Sequence, residues 1–122
     1  MVMRPDPSSN QIVLTNDVEW SPLNEPGIKG IYVKSLRYDK ASKRSPTILL
    51  RFEPGSRYPA HMHPAGEEIF VLEGVVRVGG ATLKQGDYLY TAPGNIHAVY
   101  SEEGCVLFLI APEEVVIIGV EP

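Results

Sequence analysis

Gly55-Ser-Arg-Tyr-Pro-Ala-His61-Met-His63-Pro-Ala-Gly-Glu67-Glu68-Ile-Phe-Val-Leu-Glu-Gly74 is the stretch on which the reading of this chain turns. Successive side chains of a strand point to opposite faces, so His61 and His63 share one face and Met62 takes the other. Pro64-Ala65-Gly66 carries turn chemistry. Glu67 and Glu68 open the next apolar run on opposite faces, so only one of them can be aimed back at the imidazoles. Spacing alone leaves open which.

The third and last histidine ends a second segment, Gly86-Asp-Tyr-Leu-Tyr-Thr-Ala-Pro93-Gly94-Asn-Ile-His97. It follows its own Pro-Gly turn, and only folding could bring it to the other two. Three imidazoles and a carboxylate suit a divalent iron, zinc, manganese or nickel ion. In a six-coordinate ion they would leave two positions for a ligand. The alternative is that a His-x-His pair is an ordinary feature of a strand. The third histidine and the spaced carboxylate favour a metal site.

Around these segments the chain is punctuated at short intervals. Eleven glycines and eleven prolines are spread through 122 residues, which leaves little room for a long helix. Short apolar runs between turns indicate an all-β sandwich or barrel. The expected strands are Ile12–Leu14, Ile28–Tyr38, Thr47–Glu53, Tyr58–His63, Glu67–Leu72, Val75–Val78, Ala81–Leu83, Tyr88–Thr91, Ala98–Tyr100, Cys105–Ile110 and Val115–Val120. Gly79-Gly80 reads as a two-residue hairpin turn. Residues 1–10, polar and Pro-containing, are expected to form a loose arm, and residues 11–122 a single domain.

Ile69-Phe-Val-Leu72 and Val106-Leu-Phe-Leu-Ile110 are apolar at every position. A strand wetted on one face should alternate, so both faces are expected to be covered. A homodimer would cover the second face; close packing within one chain is the alternative.

Net charge is −4 with the signs interspersed, and no basic stripe is present. Nucleic acid is therefore not an expected partner. No apolar run approaches the length of a membrane span or a signal-peptide core, so no membrane association is expected. A single cysteine, Cys105, precludes an internal disulfide and fits a reducing cytoplasm.

The two quoted segments resemble the paired signature motifs of the cupin superfamily (RmlC-like proteins). The first motif places a glycine, His-x-His, a glutamate and a glycine at spacings that Gly55, His61, His63, Glu67 and Gly74 all meet. Taking Glu68 would spoil the spacing to Gly74, so the resemblance selects Glu67. Gly86, Gly94 and His97 fit the second motif; Ala92 stands where proline is usual and Ser101 where asparagine is usual. Neither departure removes a ligand.

The resemblance implies a double-stranded β-helix (jelly-roll) barrel holding one divalent ion on His61, His63, Glu67 and His97. Glu67-Glu-Ile-Phe-Val-Leu-Glu-Gly74 also resembles the subgroup of anti-sigma-factor cupin domains and dihydroxyacetophenone-type dioxygenases. The expected function is a small metal-dependent dioxygenase acting on a small oxygenated or aromatic compound. The alternatives are a non-enzymatic zinc or small-molecule sensor, for which the length leaves no signalling domain, and a metal-dependent isomerase.

Several other residues admit two readings. Arg51 either projects into the barrel to hold an anion or lies at a strand end or on the surface. Tyr88 and Tyr90 share a face and either line the pocket or pack in a core or interface. Cys105 reads as a buried structural thiol rather than a soft ligand. Asp87 reads as a turn residue, and Trp20 as core or interface rather than a lid. Glu68 is expected to face solvent or pair, though as a neighbour of the site it could act as an acid or base.

Overall fold

The computed structural model describes residues 10–119. Ten strands form one continuous sheet: β1 (Ser21–Pro22), β2 (Ile31–Asp39), β3 (Arg44–Phe52), β4 (Ser56–Met62), β5 (Glu67–Val78), β6 (Ala81–Lys84), β7 (Tyr88–Thr91), β8 (Ile96–Ser101), β9 (Cys105–Ile110) and β10 (Val116–Ile117). Every pairing is antiparallel. The expected all-β architecture is therefore present.

The long strand β5 makes the curl. Its first part pairs with β7 and β9, and its second part with β6 and β8. One layer is thus β1-β2-β3-β9-β5-β7, and the other runs from the end of β5 through β8 and β4 to β10. The ladder to β9 shifts register between Val71 and Glu73, just before Gly74. Gly74 has φ +80°, and an added Cβ would overlap the Gly104 carbonyl oxygen. Only glycine lets the two strands approach so closely at this bend. The sequence pattern divides this element into two strands, whereas the register shift and Gly74 bend one continuous strand.

Inward-facing side chains of both layers make the core: Ile31 and Phe52 from β2 and β3, Ile69, Val71, Val76 and Val78 from β5, Val99 from β8, and Leu107 and Leu109 from β9. Burial alternates strictly along β9, with Leu107 and Leu109 inside and Val106, Phe108 and Ile110 half-buried on the outer side. The apolar runs therefore do alternate in burial, and their second face is only partly covered within the chain.

Three further differences from the expected strands appear toward the two ends of the chain. Ile12–Leu14 forms no strand; Ile12 and Leu14 are exposed, and the chain turns into a short 3-10 helix at Thr15–Asp17. An apolar triplet without a ladder partner gains nothing from extension. Ser21–Pro22, read as loop, pairs with Tyr32 and Val33 as an edge strand, a position that tolerates proline. The last strand is limited to Val116–Ile117. The proposed arm at residues 1–10 lies outside the described residues except for residue 10.

Candidate metal centre

The site is built on β4, β5 and β8. His61 and His97 are directly opposed in the β4–β8 ladder, so pairing alone brings them together. Between Tyr58 and His61 the same ladder shifts register. Pro59, which lacks an N–H, sits in this bulge. The extra residue turns Tyr58 to the same interior as His61, against simple alternation, and both line one cavity. It also frees the Pro59 carbonyl, which lies 2.7 Å from His61 Nδ1. That bond makes Nδ1 the protonated nitrogen and leaves Nε2 with its lone pair for the site.

His63 lies just past the end of β4 and is fixed through its backbone. Its carbonyl accepts from the N–H of Gly66 at 3.2 Å and of Gly94 at 2.9 Å, and its own N–H donates to Asn95 at 3.3 Å. The Pro64-Ala65-Gly66 turn then starts β5 with Glu67 facing inward. Gly66, at φ +80°, packs where a Cβ would stand 2.7 Å from the Thr91 carbonyl oxygen. Both turns of the sequence pattern therefore converge on His63.

One ligand atom from each of His61, His63, Glu67 and His97 lies within 4.8 Å of the others. His61, His63 and Glu67 are 3%, 1% and 4% exposed, so the cluster is out of water. Glu67 Oε2 is 3.1 Å from His63 Nε2, and Oε1 is 3.3 Å from His97 Nε2. Yet both histidine Nε2 atoms and Glu67 Oε1 have no hydrogen-bond partner. These atoms are close without the angles of a hydrogen bond and are grouped about a common point, while His63 Nδ1, on the other side of its ring, is unpartnered as well. Buried polar atoms rarely stay unpartnered, and a cation at that point would satisfy both Nε2 atoms and Glu67 Oε1. Metal bonds of about 2.1 Å set opposite ligand atoms about 4.2 Å apart, close to the spread seen here.

Burial drives the His61 and His63 pKa values down, each to about 4. The neighbouring imidazoles reinforce the shift, and the Pro59 carbonyl partly opposes it at His61. Both rings are neutral at pH 7, the state a metal requires. The donor set therefore fits a divalent ion.

Above the cluster opens a cavity of about 420 Å³. Its walls are mostly apolar, including Val33, Ile48, Leu50, Ile69 and Leu109. Tyr58 packs its ring edge-on against His61 at 4.8 Å and donates its hydroxyl to Glu25 Oε1 at 2.7 Å. Burial, followed by the Glu25 contact, raises the Tyr58 pKa well above the usual phenol range, so the hydroxyl stays protonated.

Arg51 faces away from this cavity. It lies on the outer layer surface against the rings of Tyr32 (4.7 Å) and Trp20 (5.1 Å), and Trp20 also meets Lys34 Nζ at 4.7 Å. Tyr88 and Tyr90 are likewise outside and exposed, so they line no pocket. Glu68, on the outer side of β5, accepts a hydrogen bond from the Tyr88 hydroxyl at 2.6 Å. Asp87 accepts the Lys84 N–H in its turn. Cys105 is buried, and burial raises its pKa, as expected of an inert structural thiol. Ser101, the departure from the second motif, is 1% exposed and donates to the Val75 carbonyl at 2.7 Å.

Sequence reasoning missed Glu25, Tyr58, Arg44 and Glu114, all of which line the cavity. Tyr58 is hidden by the bulge, and Glu25 comes from a loop with no periodicity. Arg44 lies between the expected strands Ile28–Tyr38 and Thr47–Glu53, although it begins β3.

A curled antiparallel sheet with three histidines and a glutamate converging inside it defines a cupin with a possible metal site. The chain belongs to the ChrR cupin-like family, whose model matches residues 8–112. Its fold is similar to that of an acetylacetone dioxygenase from Acinetobacter johnsonii, with TM-score 0.77 at 15% identity over 98% of this chain and 90% of that one. It is also similar to a Methylibium petroleiphilum PM1 protein proposed to be an acetylacetone dioxygenase, with TM-score 0.79 at 20% identity over 100% and 87% of the two chains. In sequence it is 34% identical over 77 residues to the DNA damage-repair/toleration protein DRT102 of Arabidopsis thaliana. That match covers 57% of this chain and 25% of the relative, so the chain spans about a quarter of its length. Among the described residues no helix is long and apolar enough to cross a membrane.

Proposed function

We propose that this chain is a metal-dependent dioxygenase of small oxygenated compounds, with His61, His63, His97 and Glu67 as the metal ligands. The observation that carries the reading is the convergence of unpartnered buried donor atoms at the floor of an apolar cavity. An iron(II) ion held there would supply a Lewis acid and a partner for dioxygen. The residues of the chain do the rest. His61 is oriented by Pro59, His63 by its two turns, and the apolar walls exclude water from a bound ligand. Tyr58 supports the His61 ring and keeps the Glu25 carboxylate at the cavity wall.

The acetylacetone dioxygenase neighbours support this choice of reaction through likeness of fold. A cytoplasmic setting fits the single buried thiol. Protein loaded anaerobically with iron(II) is expected to consume oxygen on addition of small diketones, hydroxyketones or oxoacids. No uptake across such a panel, with iron bound at one equivalent, would overturn the proposal. Membership of the ChrR cupin-like family favours a second reading, a zinc-holding binding domain. Native protein carrying zinc and inert toward oxygen after iron exchange would support it instead.

A further inference from the structure

Arg44 begins β3 and lines the cavity. One of its N–H groups donates to the Ala111 carbonyl at 2.6 Å, and among the described residues the remainder of the guanidinium fork has no hydrogen-bond partner. Among the described residues the ion pairs are those of Glu67 with His63 and His97, so Arg44 has no carboxylate partner there. Two other acids line the same cavity. Glu25 is engaged by Tyr58, and Glu114 is exposed and outside ion-pair distance of Arg44.

The sheet register places the guanidinium relative to the metal ligands. Glu68 is opposite Ile110 in the β5–β9 ladder, so the next step sets Glu67 beside Ala111. Adjacent antiparallel strands hold such residues about 5 Å apart at Cα. The Ala111 N–H in turn donates to Pro46, on β3, at 2.8 Å. The Arg44 head, tied to the Ala111 carbonyl, is thus one strand from the carboxylate of Glu67. Ile48, Leu109 and Ala111 are among the apolar residues lining the same cavity, with Ser45 beside Arg44 as a further polar group.

A guanidinium keeps its charge at any physiological pH and matches a carboxylate through paired N–H groups. Set against apolar walls, it favours an anion over a neutral ligand of the same shape. We propose that Arg44 determines the specificity of this cavity, selecting a short oxo- or hydroxycarboxylate. The ligand's carboxylate would lie on the guanidinium and its carbonyl or hydroxyl oxygen toward the His61–His63–Glu67–His97 cluster. The inference rests on the same site as the oxygenase reading and narrows its substrate class.

The test is binding without turnover. Zinc-loaded protein is titrated calorimetrically with 4-oxopentanoate and with hexane-2,5-dione, which has the same shape but a methyl ketone for the carboxylate. The carboxylate is expected to bind the native protein at least about tenfold more tightly, the scale of one charge-assisted bond. Arg44→Gln abolishes that preference by weakening the carboxylate far more than the dione, and Arg44→Lys, which keeps a cation but not the fork, falls between. Equal affinities in the native protein, no binding of either probe, or a preference that survives Arg44→Gln would overturn the proposal. If Arg44→Gln does not fold, by circular dichroism, a preference undiminished in Arg44→Lys overturns it. The outcomes stay separate from the reaction class. A carboxylate preference without iron-dependent oxygen uptake removes the oxygenase reading alone, and uptake with neutral diketones but no preference removes this one alone.

Discussion

At the scale of single residues, His61 and His63 link the site to the stability of the fold. Each is buried and neutral, with a pKa near 4 against an ordinary value of 6.5. In the unfolded chain they protonate as pH falls through 6.5; in the folded, metal-free chain they do so only near 4. Between those values the unfolded state binds more protons, and stability therefore rises with pH. The contribution of the neutral rings is complete above about pH 6.5 and is lost as the medium is acidified toward pH 4. Thermal unfolding of the chelator-treated protein is expected to show a Tm at pH 5 lower than at pH 7 by several degrees. Replacing both rings by glutamine should flatten that dependence. An equal Tm at the two pH values in the native sequence would mean that the rings are not buried neutral.

At the scale of elements, the bends between layers are the stiffest demand on the sequence. Gly74 joins the two halves of β5 at φ +80°, and a Cβ there would overlap the Gly104 carbonyl oxygen and approach Cys105 Cα to 2.9 Å. Both neighbours are backbone and cannot swing aside. Gly74→Ala is expected to destabilise by about 2 kcal/mol or more, combining left-handed strain with the steric overlap. Gly86, whose Cβ would meet nothing within 4 Å, shares the positive φ but not the overlap. Gly86→Ala should therefore cost less than Gly74→Ala in urea unfolding, and equal losses would show that the close approach to Gly104 contributes nothing.

The same elements show what the sequence makes legible. His61 and His63 could be read as a pair because strand parity encodes their shared face locally, whereas the choice of Glu67 over Glu68 and the joining of His97 rest on the family resemblance, since both depend on how distant strands pair. Glycines and prolines mark most strand boundaries in the same way. Tyr58 could not be read, because a bulge at Pro59 reverses the parity that any alternation rule assumes. Arg51 and Arg44 show the same limit. Which face of β3 is the interior depends on β9 and on the curl of the whole sheet, and nothing within the strand itself states it. Ile12–Leu14 fails for the opposite reason, since local apolarity suggested a strand where the tertiary structure provides no partner.

At the scale of the whole molecule, the outer face of the β7-β5-β9 layer carries a group of exposed apolar side chains. Phe70, Leu72, Tyr88 and Tyr90 are 39%, 37%, 54% and 58% exposed. Phe70 pairs directly with both Tyr88 and Phe108 across the ladders, so these rings form one surface with the half-buried Val106 and Ile110. Single exposed apolar residues are ordinary, but a contiguous patch of this kind marks an interaction surface. A second copy of the chain is the partner we propose, because an apolar sheet face paired with itself closes most simply as a two-fold dimer. The cavity opens on the inner side of the same layer, so such pairing would leave Arg44 and the His61–His63–Glu67–His97 cluster accessible. Light scattering on eluted protein is expected to give twice the chain mass of 13.4 kDa. Leu72→Arg with Tyr90→Glu, both on the outer surface, should shift it to the monomer mass without loss of metal uptake. A monomer in the native protein at tens of micromolar would rule out the pairing, and a dimer that survives both charges would place the interface on another face.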